Sequence, residues 1–188
     1  EKPETSNALA FAERTKDLHK STVGLVGLGG IGRQVAKRLA FGFGAKVIYC
    51  EAFGRMQYDV SYGAEYVESM DEMLKRADIV VPLCPLLPST KGMFSDRQFK
   101  LMKNDAIFIN CARGQLCDTN ALLRALKSGE ILQAGLDVTD PEPLPTNHEL
   151  WTLDNVTITP HIGSATDECR NRMIDMATDN LLNALNKT

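Results

Sequence analysis

The sequence predicts an α/β fold in which a mostly parallel β-sheet is covered by helices on both faces. From residue 21 onward, short runs rich in β-branched residues alternate with longer segments of helical periodicity, the pattern of βαβ units. The short runs alternate little between polar and apolar residues, as expected of strands buried on both faces. At 188 residues the chain is long enough for one domain. We therefore divide it into an arm or linker at residues 1–20 and one folded domain at residues 21–188.

Six strands and four helices follow from this pattern. Strands are predicted at residues 22–28, 46–50, 78–83, 105–110, 134–138 and 156–159. Helices are predicted at residues 31–41, 70–76, 119–127 and 166–185. Ser69 and Glu72 are spaced as a capping box for the second helix, while Asp118 can cap the third and Gly129 can end it. Apolar side chains at helical spacing predict that the last helix packs into the core through Met173, Met176 and Leu181.

Composition and charge exclude several classes of protein. The chain has 24 acidic and 21 basic residues, so it lacks the excess of positive charge typical of nucleic-acid binding. Its longest apolar run, residues 79–87, contains two prolines and is far shorter than the roughly twenty residues that span a membrane. The N-terminus lacks the basic and then apolar layout of a signal peptide. We therefore expect a cytoplasmic protein that binds neither nucleic acid nor membranes.

The cysteines predict a reducing compartment. There are five of them, an odd number, without a CxxC pair or the spacing of metal ligands. Cys50, Cys84 and Cys111 lie within or at the ends of apolar runs, where a reduced thiol behaves as a small hydrophobe. We therefore predict buried structural thiols and no metal site.

The turn after the first predicted strand carries the pattern of a phosphate-binding loop. GLGGIG places Gly27, Gly29 and Gly32 on the G-x-G-x-x-G pattern, and Glu51 follows the next strand 19 positions after the last glycine. In a Rossmann-type, doubly wound sheet each of these glycines has a role. Gly27 allows the tight turn, Gly29 lets the backbone approach a pyrophosphate, and Gly32 lets the helix pack against the strand. Glu51 would bind the adenosine ribose and favour NAD over NADP. Two interpretations of Arg55 are equally open: it pairs with a 2′-phosphate, or it is a solvated loop residue without a ligand.

Three further polar segments end predicted strands, and with them the chain resembles a known family. INCARG (109–114), GLDVTDPEPLPTNHEL (135–150) and TPHIGSAT (159–166) follow GLGGIG and CPLLPSTKGM (84–93) in order. This series resembles the D-isomer-specific 2-hydroxyacid dehydrogenases, and PEPLPTNH resembles their glyoxylate/hydroxypyruvate reductases. The resemblance covers about residues 17–187. It implies that residues 21–188 form a dinucleotide-binding domain, including the C-terminal helix, and that the protein is a homodimer that reduces small 2-keto acids to D-2-hydroxy acids with NAD(P)H.

The resemblance also implies roles for individual residues. Arg113 corresponds to the substrate-binding arginine, His161 to the catalytic acid and base, and Glu142 to the acid that partners this histidine. The cofactor contacts that it implies, together with those of the glycine turn, are Gly27, Gly29, Gly30, Ile31, Gly32, Glu51, Pro85, Cys111, Asp137, Gly163 and Ser164.

The chemistry of keto-acid reduction calls for these residue types independently of the family. The carbonyl oxygen needs a proton, and the ordinary pKa of histidine, about 6.5, suits the delivery of one near neutral pH. A neighbouring carboxylate such as Glu142 favours the protonated imidazolium. An arginine fork binds a carboxylate through two hydrogen bonds and so fixes the substrate.

Other interpretations stay open. Taken singly, His161 could be a capping residue, Glu142 a rigid turn residue and Asp137 a backbone cap, while His19 and His148 are expected to be exposed. A non-catalytic NAD-sensing module, as in the C-terminal-binding-protein corepressors, would keep the same arginine, glutamate and histidine. Formate dehydrogenases have glutamine as the histidine partner, so Glu142 counts against that alternative.

The chain departs from the family at three points. Leu87 stands where the family commonly has threonine, and residues 1–20 lack the usual tryptophan-containing arm. We also expect that the family's second domain, which closes over the substrate, is largely absent from this chain, so the chain by itself is expected to be poorly active or inactive.

Overall fold

The fold is a single seven-stranded, fully parallel sheet. The computed structural model describes residues 15–51 and 61–186, and Arg55 therefore lies outside the described residues. The strands are β1 (Thr22–Val26), β2 (Lys46–Cys50), β3 (Glu65–Tyr66), β4 (Ile79–Pro82), β5 (Ile107–Asn110), β6 (Gln133–Leu136) and β7 (Val156–Ile158). Their spatial order is β3-β2-β1-β4-β5-β6-β7. The chain reverses its direction of winding between β3 and β4, so the fold class predicted from the sequence is confirmed.

Five α-helices are described. They are α1 (Gly30–Lys37), α2 (Met70–Arg76), α3 (Asp96–Leu101), α4 (Thr119–Ser128) and α5 (Asp167–Leu185). A π-helical turn, Arg38–Gly42, extends α1, and short 3-10 helices lie at Leu18–Lys20, Gly114–Leu116 and Glu149–Thr152. None of the described helices is long and apolar enough to cross a membrane.

Helices pack on both faces of the sheet, as predicted. On one face α2, α3 and α4 bury apolar side chains, with Phe94, Phe99 and Phe108 packed ring against ring at its centre. On the other face α1 packs its buried Ala36 against β1 and β4. Because all seven strands run parallel, their carboxyl ends lie at one edge of the sheet, where ligands bind in folds of this type.

Local signals in the sequence predict helix α4 well but helix α2 only in part. The Asp118 carboxylate accepts hydrogen bonds from two N–H groups of the first turn, and Gly129 ends the helix in the left-handed conformation at φ 73°. The capping box at Ser69 and Glu72 is wrong, because the Ser69 side chain makes no capping hydrogen bond. Burial of Met73 and Leu74 holds α2 in place instead.

The sequence pattern missed one strand and one α-helix and misplaced some strand ends. β3 has two residues, too short for a periodicity. Helix α3 is capped by Ser95, the residue before its first turn, whose hydroxyl and backbone N–H both donate to the Gln98 side chain. The first strand ends at Val26 rather than at residue 28, because Gly27 turns the chain at φ 102°.

The prediction that α5 packs into the core is wrong for the described part of the chain. None of its residues is buried, and Met173, Met176 and Leu181 are each more than half exposed. Helical spacing predicted which side chains share a face, but no described element packs extensively against that face.

Two predictions about buried or exposed side chains also need correction. All five cysteines are free, and Cys50 and Cys84 are buried as expected, but Cys111 is exposed because the chain leaves the sheet at Asn110. Burial raises the pKa of Cys50 to about 12, which keeps it a thiol. His19 is exposed as expected, whereas His148 is half-buried and its Nδ1 accepts the Leu150 N–H.

Candidate active site

The glycine turn leaves room for a ligand at the start of α1. A Cβ atom on Gly32 would lie 2.4 Å from the carbonyl oxygen of Gly27, so helix and turn can be this close only with glycine at position 32. At Gly29 and Gly30, in contrast, a Cβ would meet no atom within 4 Å. The backbone at the N-terminus of α1 therefore borders open space, where its N–H groups can bind an anion.

Glu51 is tied directly to this turn. Its Oε1 accepts a hydrogen bond of 2.6 Å from the backbone N–H of Leu28, which lies between the first two glycines of the motif. The contact fixes the half-buried carboxylate at the end of β2, beside the turn. Its second oxygen can accept hydrogen bonds from the hydroxyls of a ligand.

A cavity of about 520 Å³ extends along the sheet from the start of α1. Its apolar walls include Ile31, Val35 and Leu83. Its other end brings together the remaining polar segments through Cys111, Asp137, His161, Gly163 and Ser164. Five of the predicted cofactor contacts thus line one cavity, although they come from four separate parts of the chain.

Glu142 and His161 form a close pair. The Glu142 carboxylate oxygen Oε1 lies 2.6 Å from Nδ1 of His161, with both side chains partly exposed. Since a carboxylate can only accept, the imidazole carries its proton on Nδ1 and presents Nε2 away from the glutamate. His161 is the described non-glycine residue with a positive φ, 54°, so the backbone itself makes a sharp turn to direct this ring.

Asp137 holds that turn in place. Its Oδ1 accepts hydrogen bonds from the Thr159 hydroxyl at 2.6 Å and from Ile162 N–H at 2.8 Å, and its Oδ2 accepts from Gly163 N–H at 2.9 Å. Burial raises the pKa of the Asp137 carboxyl, but the hydrogen bonds outweigh this effect and hold the pKa below its ordinary value. The ionised side chain therefore caps the loop that carries His161 and also lines the cavity.

Arg113 is not brought to the pair. It is exposed on the loop after β5, and its Nη1 donates to the neighbouring carbonyl oxygen of Ala112 at 2.6 Å. It does not line the cavity beside Glu142 and His161. Pro85, on the loop after β4, is also exposed and outside these cavity walls, and its carbonyl oxygen accepts from the Thr90 hydroxyl.

The sequence pattern did not single out Asn110, which builds the Arg113 loop. Asn110 is almost fully buried at the end of β5. Its side chain accepts from Ala112 N–H and donates to the carbonyl oxygen of Arg113, both at 3.0 Å. The available signal was a polar residue that ends an otherwise apolar strand.

A second cavity, of about 320 Å³, lies on another side of the pair. Glu142, His161 and Asp137 line it together with apolar side chains that include Leu144, Trp151 and Ile158. The two cavities therefore share His161 and Asp137, so the imidazole stands between them.

Fold and site together define a Rossmann-type dinucleotide-binding domain that carries a histidine–glutamate pair. Residues 5–163 match the model of the D-isomer specific 2-hydroxyacid dehydrogenase, NAD binding domain, and the chain belongs to this family. The family predicted from the sequence motifs is thereby confirmed.

Similar proteins and solved structures agree with this assignment. The chain is 45% identical over 170 residues to glyoxylate/hydroxypyruvate reductase B of Klebsiella pneumoniae (strain 342), covering 90% of this chain and 52% of that protein. It is similar in structure to a glyoxylate reductase from Paecilomyes thermophila, with a TM-score of 0.84, 36% identity and coverage of 90% and 50%. It is also similar to the NAD-complexed D-isomer specific 2-hydroxyacid dehydrogenase of Lactobacillus delbrueckii ssp. bulgaricus, with a TM-score of 0.79, 38% identity and coverage of 90% and 56%. The chain thus spans about half the length of these relatives.

Proposed function

We propose that this chain supplies the cofactor site and the proton donor of a reductase that converts small 2-keto acids of the glyoxylate and hydroxypyruvate type to D-2-hydroxy acids. The observation that carries the proposal is the 2.6 Å contact between Glu142 and His161 at the wall of the cavity that begins at the glycine turn. The names of the relatives support the substrate class.

The residues present fit NAD. The open backbone at Gly29 and Gly30 suits a pyrophosphate at the N-terminus of α1, and the fixed Glu51 carboxylate suits ribose hydroxyls. Asp137, Gly163 and Ser164, with Cys111 and Ile31, would surround the nicotinamide end in the same cavity. Bound there, NADH supplies the hydride for the carbonyl carbon of the keto acid.

His161 delivers the proton that the carbonyl oxygen needs. Glu142 occupies Nδ1, so Nε2 is the nitrogen that donates to the substrate. The carboxylate orients the ring for the transfer. Asp137 fixes the backbone from which the ring extends.

Arg113 binds the carboxylate of the substrate. For this its guanidinium exchanges the carbonyl oxygen of Ala112 for the two substrate oxygens, which a planar fork binds through parallel hydrogen bonds. The keto group is thereby held against the hydride and His161.

The pocket favours NADH over NADPH. Glu51 would lie next to a 2′-phosphate and repel it, because both groups are negatively charged.

The reductase is a cytoplasmic homodimer whose substrate site is completed by further chain. The described cysteines are all free, which suits a reducing compartment.

The relatives are about twice as long as this chain, and a second domain over Arg113 and His161 would exclude water from the site. The 188-residue chain alone therefore binds NADH but turns over keto acids poorly.

The test has two arms. Fluorescence titration of this chain with NADH should give saturable binding, which Gly30→Glu weakens strongly by placing a carboxylate at the phosphate position, whereas Gly42→Glu serves as the control. A protein of the relatives' length that contains this chain should oxidise NADH when glyoxylate is added. Binding without any such turnover would instead favour the non-catalytic NAD-sensing module.

A further inference from the structure

The position of Glu142 depends on an exposed loop. Residues 139–143 connect the buried Val138, just after β6, to the buried Leu144, and between these anchors residues 140–143 are exposed. Glu142 is the fourth residue of this loop, and its carboxylate must stay within hydrogen-bond distance of His161. Contacts that fix the loop backbone therefore decide whether the pair forms.

The segment that follows Arg113 supplies such contacts. A Cβ atom on Gly114 would lie 2.0 Å from the carbonyl oxygen of Thr139, so the two backbones touch here only because position 114 is glycine. Five residues further on, the Thr119 hydroxyl donates to the carbonyl oxygen of Asp140 at 2.8 Å. Asp140 lies two residues before Glu142.

Thr119 is a rigid donor. It is the first residue of α4, and the Asp118 carboxylate caps the two following N–H groups. The helix is anchored to the core through its buried face, which includes Leu122 and Leu126. Inside the loop, the Thr139 hydroxyl donates to the carbonyl oxygen of Pro141 at 2.8 Å, so the restraint at Asp140 extends toward Glu142.

We propose that Thr119 is a positioning residue for Glu142: its hydrogen bond to Asp140 holds the loop so that the Glu142 carboxylate reaches Nδ1 of His161. The inference rests on the proposed function in that the pair is taken as the proton donor. Gly114 and Thr119 both lie on the segment that follows Arg113, so this one segment contacts the Glu142 loop at two neighbouring residues, Thr139 and Asp140.

The tautomer of His161 provides a readout that does not require activity. Paired with a carboxylate, the neutral ring keeps its proton on Nδ1, whereas His148, whose Nδ1 accepts the Leu150 N–H, keeps it on Nε2. The chain has three histidines, so ¹⁵N NMR of imidazole-labelled protein resolves both tautomers in one sample, with His148 as the internal reference.

The experiment compares four variants of the 188-residue chain above neutral pH. Glu142→Ala defines the spectrum of an unpaired His161. Thr119→Val, which removes the hydroxyl, should lower the Nδ1–H fraction of His161 roughly twofold or more, while Thr119→Ser should restore it. Thr152→Val is the matched control, because it deletes a hydroxyl bond of the same 2.8 Å length to the Glu149 carbonyl, a bond that involves none of residues 139–143. Should Thr119→Val not fold, as judged by circular dichroism, Thr119→Ala takes its place.

A spectrum of Thr119→Val that matches the wild type, with Glu142→Ala clearly different, would overturn the positioning role. So would a wild-type His161 that already shows the Nε2–H tautomer. The proposed function fails separately, when the tautomers behave as expected but the longer protein does not reduce glyoxylate.

Discussion

The backbone N–H of Asp137 donates to the carbonyl oxygen of Asn110 at 2.9 Å, just beyond the paired ends of β5 and β6. Both residues are buried and polar. The Asn110 side chain hydrogen-bonds to the loop that follows β5, and the Asp137 side chain hydrogen-bonds to the loop that follows β7. The loops that carry Arg113 and His161 are therefore both hydrogen-bonded to one point of the sheet, the first through Asn110 and the second through Asp137. Positioning at this point is rigid because an unsatisfied buried polar group would cost about 1–3 kcal/mol.

Replacing Asn110 should test this junction. Asn110→Ala removes two partly buried hydrogen bonds and leaves the N–H of Ala112 and the carbonyl of Arg113 without that partner, so we expect a loss of about 1–3 kcal/mol of unfolding free energy. Urea denaturation measures the change. The control is Asn120→Ala at an exposed position of α4, and equal effects of the two variants would contradict a special role for Asn110.

Gly114→Ala should lower the stability of the fold by a steric clash. The added methyl group would overlap the carbonyl group of Thr139, whereas Gly42→Ala places the same group in open space without a positive φ. Overpacking against backbone typically costs about 1–3 kcal/mol, so the melting temperature should fall clearly in the first variant and little in the second. If both variants melt together with the wild type, the two loops are not in contact in solution.

Glu51→Gln should change the choice of cofactor. Glutamine can still accept the Leu28 N–H but carries no charge, so the turn is kept while the repulsion of a 2′-phosphate is lost. We expect the ratio of NADH to NADPH affinity to fall roughly tenfold, as measured by fluorescence titration of both cofactors. A wild-type chain that binds NADPH more tightly than NADH would show that another residue governs the pocket.

Asp78 makes the fold sensitive to acid. Burial raises the pKa of its carboxyl, but hydrogen bonds from Lys103 and from Thr22 N–H outweigh this effect and lower the pKa. A carboxylate with a lowered folded pKa stabilises the fold above its unfolded pKa, about 4, and the contribution is lost as pH falls through the folded value. Asp78→Asn should therefore be less stable than the wild type near neutral pH, and the difference should shrink toward about pH 3.

Urea denaturation at several pH values measures that difference. Asp175→Asn, on the exposed face of α5, is the control. A stability difference for Asp78→Asn that stays constant down to about pH 3 would contradict the role of its charge.

Local chemistry accounts for much of what the sequence predicted correctly. Asp118 and Gly129 mark the two ends of α4, because helix capping depends on neighbours in the chain. Gly27 and Gly32 shape the turn, because the carbonyl of Gly27 lies too close to position 32 for any side chain there. The contact between Glu142 and His161 was predicted through the resemblance to a family, since 18 residues separate them and no periodicity connects them.

The features that the sequence could not supply depend on tertiary contacts. Helical spacing placed Met173 and Met176 on one face of α5 but did not show that the face is exposed. In the sequence Thr119 is an ordinary helix residue, and only the fold shows that its hydroxyl contacts Asp140. Cys111 is exposed because the chain leaves the sheet just before it. Such roles depend on partners that are distant in the sequence.

The most direct measurement is steady-state reduction of glyoxylate by the longer protein with His161→Ala, together with its affinity for NADH. Loss of the proton donor should lower kcat about 100- to 10,000-fold. The Kd for NADH should change little, because the cofactor contacts at the glycine turn and Glu51 are untouched. A variant that keeps kcat within a few-fold of the wild type would contradict the assignment of His161 as the group that protonates the substrate.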